Sequence, residues 1–355
     1  MRFFHAADIH LGAEPDKGFP WSEDRGKEIW DSFRKLIRQA GHENAGLFLI
    51  AGDLFHRQPL MRELKEVNYL FSTIPDTKVV LMAGNHDYLK KDSFYLRFPW
   101  ADNVSCLWGS QEPCVELPDI GTAVYGFSYD RQEITDPLYH HMRPEGRQPV
   151  EILLAHGGDE KHIPFRPDVL ERAGFDYVAL GHIHKPGILV KDKIAYAGAL
   201  EPIDKNDAGP HGYIKGEITG NGKNNRVQIQ FIPAALRSYV TLPVRINEKT
   251  TQYSLEQAVS QTLGSRDDKN LYCLVLRGER SMDIEFDTRR LLALGKVREV
   301  ADETRPAYDK KALAKQYRGT LMEAFIREFD RDNLSETEEK AFQYGLEALM
   351  GAREE

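Results

Sequence analysis

The amino-acid sequence predicts an α/β protein with mixed sheets, and three features of residues 1–235 support this prediction. Short apolar runs that are typical of buried strands recur in RFFHAA, GLFLIAGD, KVVLMAGNHD, PVEILLAHGG and DYVALGHIH. A helical pattern separates the first two runs, because Ile29, Phe33 and Leu36 recur at helical spacing. Two further segments indicate hairpins, namely CVELPDIGTAVYGFSYD and GYIKGEITGNGKNNRVQIQFIPA, the second with its turn at Asn221-Gly222.

Length and composition limit the class of protein. The chain has 355 residues, of which 41% are hydrophobic and 10% aromatic, so it can bury a proper core in one large domain with an appendage or in two domains. Its formal net charge of −8 gives no overall attraction to nucleic acid or to an anionic membrane. Any site for a polyanion must therefore be local.

The N-terminal segment and the cysteines bear on the compartment. Chemistry-bearing residues begin at Asp8, too early for an export signal to precede them, and no apolar run approaches the roughly 20 residues of a membrane span. The three cysteines, Cys106, Cys114 and Cys273, lack the C-x-x-C spacing of a thiolate metal site and are odd in number. We expect a reducing cytoplasm.

Changes in composition along the chain predict four parts. Residues 1–235 form the α/β body, and residues 236–300 form a smaller α/β segment. The stretch ADETRPAYD, residues 301–309, is interpreted as a linker. Residues 310–355 have only helical patterns and are interpreted as a tail.

The tail carries two apolar stripes at helical spacing. They comprise Leu313, Tyr317, Leu321 and Phe325 in the first stripe and Phe342, Leu346 and Leu349 in the second. Ser335 and Glu338 form a capping box that opens the second helix. Two short helices alone make a poor core, so the tail either packs on its own body or binds a partner.

Five predicted strands end in polar residues of a restricted set. These ends are Asp8-Ile9-His10, Gly52-Asp53, Gly84-Asn85-His86-Asp87, His156-Gly157 and Gly181-His182-Ile183-His184. Functional groups of α/β sheets gather at the carboxyl ends of strands, so we expect these side chains to converge. Taken singly, each has an ordinary alternative, such as a helix cap, a turn residue or a core histidine. As an ordered set they are hard to explain by five such coincidences.

The residue types are consistent with a metal site. Imidazole and carboxylate ligands without thiolate suit Mn, Fe or Zn, and D-x-H and H-x-H send two side chains in one direction from an extended backbone. One carboxylate can also bridge two metals. The glycines that precede these residues, Gly52, Gly84 and Gly181, permit tight turns that direct the next side chain inward.

The ordered set D-x-H, G-D, G-N-H-D, H and G-H-x-H resembles the signature of the calcineurin-like metallophosphoesterases. The resemblance implies a β-sandwich flanked by helices, a small α/β capping domain and a C-terminal helical tail, with two divalent metal ions per chain. It implies the following ligands: Asp8, His10 and His184 for the first metal, Asn85, His156 and His182 for the second, and Asp53 as the bridge. It also implies that His86 is not a ligand but stabilises the transition state or protonates the leaving oxygen.

Longer segments resemble the DNA repair exonuclease branch, typified by the SbcD nuclease subunits of SbcCD-type complexes. The segments are AADIHLG, LIAGDLFHRQ, LMAGNHDY, VALGHIHKP and AYAGALEPIDKNDAGPHGY. This resemblance implies exonuclease and endonuclease action on DNA, with Mn as the preferred metal and Fe, Zn or Mg as alternatives. It implies that residues 236–300 cap the site and bind DNA, and that the tail binds an SbcC-like ABC-type ATPase with a coiled coil. Whether two copies form a homodimer stays open.

Two segments depart from that branch. The sequence KNDAG stands where Asn-Glu is expected before the glycine, which leaves the roles of Asn206 and Asp207 undecided. The loop DRQEITDPLYHHMRPEGRQP, residues 130–149, has no assigned place.

Basic residues just after the strand ends are candidates for contacts with phosphate groups. They are Arg57, Arg62, Lys90, Lys91 and Lys185, and His56 is a further candidate for a DNA contact. Ordinary solvated loop charges are the alternative for each basic residue, and a loop-capping role is the alternative for His56. Two other functions also stay open: a phosphodiesterase for small molecules such as cyclic nucleotides or nucleotide-lipid esters, and a non-catalytic interaction subunit.

Overall fold

The structure is a computed structural model that describes residues 1–109, 113–220, 222, 224–331 and 334–351. It divides into two compact units. The first comprises residues 1–241, 267–273 and 296–299, and the second comprises residues 242–266, 274–295 and the chain from 300 onward. Across the described ranges, no helix is long and apolar enough to cross a membrane.

The secondary structure elements are numbered in chain order. The strands are β1 (Arg2–Ala6), β2 (Leu47–Ala51), β3 (Lys78–Met82), β4 (Val104–Cys106), β5 (Cys114–Leu117), β6 (Thr122–Tyr125), β7 (Val150–His156), β8 (Tyr177–Gly181), β9 (Gly187–Val190), β10 (Ile194–Tyr196), β11 (Gly212–Thr219), β12 (Arg226–Pro233), β13 (Tyr239–Ile246), β14 (Leu271–Arg280) and β15 (Val297–Pro306). The helices are α1 (Ser22–His42), α2 (Met61–Ser72), α3 (Pro167–Glu171), α4 (Gln252–Gly264), α5 (Thr288–Leu292), α6 (Lys310–Gln316), α7 (Leu321–Glu328) and α8 (Glu336–Gly351). Short 3₁₀ turns span Phe94–Arg97, Pro118–Ile120 and Leu138–His141.

The first unit contains two six-stranded sheets, with strand orders β12-β11-β1-β2-β3-β4 and β5-β6-β7-β8-β10-β9. Alternate residues of β2 pack on opposite faces: Leu49 joins a core with Leu154 of the other sheet, whereas Phe48 packs with Phe33 of α1. Fully burying such a side chain stabilises a fold by about 1.5–3 kcal/mol. The predicted α/β class, with sheets flanked by helices, is confirmed.

Strand directions determine where the polar strand ends lie. Strands β1, β2, β3 and β4 run parallel, and so do β6, β7, β8 and β10. Within each sheet, the parallel strands therefore finish at one edge. The two predicted hairpins are the antiparallel pairs β5-β6 and β11-β12, although Asn221 of the second predicted turn lies outside the described residues.

The interpretation of residues 301–309 as a linker is wrong for 301–306, which belong to β15. The charged composition misled because those charges have partners on the surface of the second unit. Glu303 accepts a hydrogen bond from Arg277 Nε at 2.7 Å, and Arg305 donates to Glu339 at 3.2 Å. The proposed roles of the four sequence parts stay predictions.

The described part of the tail, residues 310–331 and 334–351, contains three helices instead of two. The first predicted stripe presumes one continuous helix, but Gly319 adopts φ +78° and Thr320 caps a new helix, α7. Leu321 consequently lies outside the small tail core, with 75% of its surface exposed. The buried members of that core are Leu313, Met322, Ile326, Phe342 and Leu346. The capping box of the last helix is confirmed, since Glu338 N donates to Ser335 Oγ at 3.3 Å.

Candidate metal centre

The predicted ligands lie together, where the parallel strands of the first unit end. Asp8, Asp53 and Asn85 follow β1, β2 and β3, while His156 ends β7 and His182 follows β8. Hydrogen bonds join these ends directly: His182 N donates to both carboxylate oxygens of Asp8 at 3.0 Å. The convergence expected from the sequence is therefore present in the fold.

Several of these residues have a strained backbone. Asp8, His10, Asp53 and His182 have φ values of 49°, 52°, 50° and 96°, in the left-handed region that non-glycine residues rarely adopt. Each such conformation costs on the order of 1–3 kcal/mol and persists only where its surroundings enforce it. Strain of this kind concentrates at functional sites.

None of the three glycines that precede the polar residues has space for a side chain. A Cβ at Gly84 would lie 2.2 Å from Asp53 Oδ1, and one at Gly181 would lie 1.9 Å from the carbonyl oxygen of Ala51. Neither glycine has positive φ, so the tight turns predicted at these positions are not the reason for them. At Gly52 the turn prediction is confirmed, with φ +82°.

Asp8, His10 and His184 form one group, with ligand atoms that lie within 4.8 Å of one another. His184 Nδ1 donates to the Asp207 carboxylate at 3.1 Å, which leaves a lone pair on Nε2 of the neutral ring. That Nε2 lies 3.1 Å from Nε2 of His10. Two imidazole nitrogens at this separation require a proton or a cation between them.

Asn85, His156 and His182 form a second group. His156 Nδ1 donates to the carbonyl oxygen of Ala51 at 2.8 Å, so Nε2 of the neutral ring carries the lone pair. This Nε2 lies 2.9 Å from Asn85 Oδ1, which is also 3.1 Å from Nδ1 of His182. An acceptor oxygen between two ring nitrogens is the arrangement expected of ligands that share one cation.

The Asp53 carboxylate lies between the two groups. Its Oδ2 is 3.4 Å from His156 Nε2 and 3.9 Å from His10 Nε2, whereas Oδ1 accepts the backbone N–H of His86 at 2.9 Å. One oxygen is thus anchored by the backbone while the other faces both groups. A carboxylate in this position could be shared by two cations.

The electrostatic field around His156 and Asp53 favours positive charge. Although burial opposes the shift, Asp53 and Asp8 raise the pKa of His156 to about 9. Burial alone would raise the pKa of Asp53, but His156 and His10 outweigh burial and hold this pKa well below its usual range. Burial raises the pKa of Asp8 to about 6, although His156 and His184 act against that rise. A site that retains a proton so strongly will also attract a metal cation, which would displace that proton.

His56 and His86 lie beside the first group. The ring of His86 is 4.8 Å from that of His10 and 5.0 Å from that of His56, measured between centroids. His86 Nδ1 donates to the carbonyl oxygen of His56 at 3.2 Å, and His56 Nδ1 lies 3.4 Å from His10 Nδ1. Both rings are partly exposed, in contrast to the buried His10.

The basic residues proposed as phosphate contacts have different environments. Arg57 forms an ion pair with Glu63 at 2.8 Å. Lys90 lies over the ring of Tyr88, with Nζ 5.4 Å from the centroid. The other three, Arg62, Lys91 and Lys185, are exposed.

Sequence reasoning missed several residues that support the predicted ligands. Asp159 accepts a hydrogen bond from His182 Nε2 at 2.7 Å, and nothing in its local sequence signals this role. Asp207, left undecided in KNDAG, orients His184. Asp87, the last residue of G-N-H-D, is buried and accepts backbone N–H groups of Gly84 at 2.8 Å and Phe55 at 3.1 Å.

The unplaced loop 130–149 also reaches the site. Tyr139, in the 3₁₀ turn of this loop, accepts the backbone N–H of His156 at 2.9 Å and is fully buried. Strand β6 pairs with β7 only as far as Leu153, before His156 is reached. The tyrosine hydroxyl therefore satisfies a backbone group of His156 that would otherwise lack a strand partner. The loop thereby helps to hold His156 in place.

The donor set as a whole fits divalent cations. Nitrogen and oxygen lone pairs converge in two groups that share one carboxylate, and a carboxylate or a carbonyl holds the second ring nitrogen of three histidines, His156, His182 and His184. Such outer hydrogen bonds are the usual support of metal-ligating histidines.

Comparisons with known proteins agree with this geometry. The family model of the calcineurin-like phosphoesterases matches residues 1–186. The uncharacterized metallophosphoesterase YhaO of Bacillus subtilis is 29% identical over 283 residues, which are 74% of this chain and 67% of the relative. Two proteins named DNA double-strand break repair protein Mre11 are also similar. That of Methanocaldococcus jannaschii is 31% identical over 225 residues, 58% of each chain, and that of Archaeoglobus fulgidus is 24% identical over 316 residues, 80% of this chain and 70% of the relative.

Proposed function

Because this chain belongs to the calcineurin-like phosphoesterase family, we propose that it is a two-metal phosphodiesterase that cleaves DNA. The observation that carries the proposal is the placement of Asp53 Oδ2 between His156 Nε2 and His10 Nε2. One metal would bind Asp8, His10 and His184, the other would bind Asn85, His156 and His182, and Asp53 would bridge them. Mn²⁺ is the proposed metal, since imidazole, carboxylate and amide ligands without thiolate suit it.

The proposed chemistry divides between the metals and His86. Divalent cations in such a pair offset the negative charge of phosphate oxygens and lower the pKa of an attacking water. His86 donates through Nδ1 to the carbonyl oxygen of His56, so a proton on its Nε2 can be directed at the leaving oxygen. The hydrogen bond to the carbonyl oxygen of His56 fixes the His86 ring, and the partly exposed face of this ring stays accessible to substrate.

DNA as the substrate is supported by the relatives named Mre11 and by local positive charge. The acidic chain repels a polyanion overall, so binding must use residues around the centre. We propose that His56, Arg57, Lys90, Lys91 and Lys185 contact the phosphate backbone, with Arg62 as a further candidate. Arg57 would have to share its guanidinium between phosphate and Glu63.

The partner proposed for the tail is an SbcC-like ABC-type ATPase with a coiled coil. The tail helices present large apolar or amphipathic side chains to solvent, since Leu321 is 75% and Tyr344 is 72% exposed. Such residues on short helices suit a helix-in-groove contact. Residues 236–300 are proposed to cap the site and to bind DNA.

A nuclease assay with three substrates tests the function. Purified protein with Mn²⁺ is incubated with end-labelled duplex DNA, single-stranded DNA and bis-p-nitrophenyl phosphate, each with and without a chelator. We expect chelator-sensitive cleavage of all three. Cleavage of the small ester alone would instead favour a phosphodiesterase for small molecules, and no cleavage of any substrate would favour a non-catalytic subunit.

A double substitution separates DNA binding from chemistry. Replacing Lys90 and Lys91 by Glu reverses two charges beside the proposed site, so DNA affinity should fall while hydrolysis of bis-p-nitrophenyl phosphate stays nearly unchanged. A parallel fall of both activities would mean that the site itself was damaged, and unaltered DNA cleavage would exclude these lysines as DNA contacts.

A further inference from the structure

Asp159 and His162 have no part in the proposed chemistry, yet both contact His182. Asp159 Oδ2 accepts from His182 Nε2 at 2.7 Å, and the ring of His162 lies 4.3 Å from that of His182 between centroids. The two residues belong to the segment that follows β7, whereas His182 follows β8. Contacts between neighbouring strand ends thus converge on this one ring.

The hydrogen bond to Asp159 determines which nitrogen of His182 carries the proton. A carboxylate only accepts, so Nε2 of His182 must be the N–H donor and Nδ1 holds the lone pair. That Nδ1 lies 3.1 Å from Asn85 Oδ1, inside the second group. Without Asp159, the neutral ring could place its proton on Nδ1, which would block coordination through that atom.

Asp159 is itself fixed by its own turn. Its carboxylate accepts from the backbone N–H groups of Lys161 at 2.8 Å and His162 at 2.9 Å, and from His162 Nδ1 at 2.8 Å. The turn is tight, because a Cβ at Gly157 would lie 2.3 Å from the carbonyl oxygen of His162. The Asp159 carboxylate is therefore held in place even though 45% of it is exposed.

His182 needs such support more than His156, the other histidine of its group, does. Its backbone has φ 96°, the most positive value among the non-glycine residues that the structure describes in that region. His156, by contrast, is fully buried and bonded to the backbone of β2. The side chain of His182 lies at the solvent edge, where a single carboxylate provides its outer hydrogen bond.

We propose that Asp159, held by His162, is a positioning residue that presents Nδ1 of His182 to the second metal ion. The inference rests on the two-metal function proposed above. Asp207 is the counterpart on the other side, where it bonds Nδ1 of His184 and leaves Nε2 for the first metal ion. Each metal would thus have one histidine oriented by a carboxylate, with 12% of the Asp207 side chain and 45% of the Asp159 side chain exposed.

Isothermal titration calorimetry of the metal-free full chain with Mn²⁺ alone tests the proposal without relying on activity. Asp159→Ala should weaken one of two sites by roughly 10–100-fold and leave the other unchanged. Asp159→Asn should weaken Mn²⁺ binding less, because an amide oxygen can still accept a hydrogen bond from Nε2 of His182. Asp168→Ala is the matched control: its carboxylate is 43% exposed and bonds only Arg166 and Arg172 among the side chains of the described chain.

A double-mutant cycle separates a positioning role from general damage. In a His182→Ala background, Asp159→Ala should have no further effect on Mn²⁺ affinity, whereas in a His184→Ala background its effect should persist in full. Equal affinity of wild type and Asp159→Ala at both sites, or an undiminished effect in the His182→Ala background, would overturn the proposal. A wild-type chain that binds fewer than two ions would contradict the two-metal function itself.

Discussion

Two glycines, one in the metal centre and one in the tail, leave no room for a side chain, but their neighbours differ. A Cβ at Gly84 would lie 2.2 Å from Asp53 Oδ1 and 2.7 Å from the backbone nitrogen of Asp53. A Cβ at Gly345 in α8 would also lie at 2.2 Å, but from Cζ of the Phe325 ring. The centre is thus bounded by polar atoms that are fixed from several sides, whereas the obstacle at Gly345 is the far end of one side chain.

The difference teaches how each region tolerates change. In the centre, the residues with a strained backbone are also the proposed metal ligands. Moving one of them by a few tenths of an ångström therefore disturbs several proposed ligands together. In the tail, five buried side chains form a small apolar core that can repack. We therefore expect a substitution in the centre to abolish or reduce function, and a substitution in the tail to reduce only the stability of the fold.

The largest effect is expected from Asp53→Asn. The amide has no charge to share between two cations, so both metal sites should weaken and phosphodiester cleavage should fall by at least about a thousandfold. Metal content and cleavage of bis-p-nitrophenyl phosphate measure this. Two metals bound at wild-type affinity would contradict the bridging position of Asp53.

His86→Ala should separate chemistry from architecture within the centre. The ring is predicted to move a proton and not to bind metal, so turnover should fall by roughly a hundredfold or more while both metals stay bound. Nuclease assays and metal analysis of the same preparation decide the matter. Loss of a metal would identify His86 as a ligand.

Gly84→Ala tests the rigidity of the centre directly. The new methyl group must displace Asp53 or His156, so overpacking should cost about 1–3 kcal/mol in the free energy of unfolding and should weaken metal binding. Gly187→Ala, at the start of β9, is the control, since nothing lies within 4 Å of its added Cβ. Unfolding in denaturant and Mn²⁺ titration compare the two variants, and equal behaviour of both would refute the rigid boundary.

The smallest effect is expected from Gly345→Ala. The new methyl group should push the Phe325 ring aside at a small cost in free energy. Alanine is favoured over glycine in a helix by up to about 1 kcal/mol, so this gain should nearly cancel that cost. Thermal unfolding should shift little, and cleavage of the small ester should stay unchanged. A destabilisation as large as that of Gly84→Ala would end the contrast between the two regions.

Sequence alone was sufficient for the α/β class, for the hairpins and for the convergence of the ligand set. Apolar runs that end in Asp, Asn or His are a local signal, and parallel strands bring such ends to one edge by geometry alone. Asp8, Asp53 and His156 could therefore be assigned to one site before any contact was known. The capping box of Ser335 and Glu338 is local in the same sense, because its two members are three residues apart.

Only the tertiary structure decided what supports the ligands and where the tail breaks. Asp159 lies 23 residues before His182 in the sequence, and Tyr139 lies 17 residues before His156, so no local pattern links them. The charged residues 301–306 looked like a linker because strand pairing, which makes them β15, depends on a distant partner. Local chemistry predicted which residues would carry the proposed reaction, whereas packing between distant segments determined how they are held, since a hydrogen bond across the fold leaves no trace in the spacing of either residue.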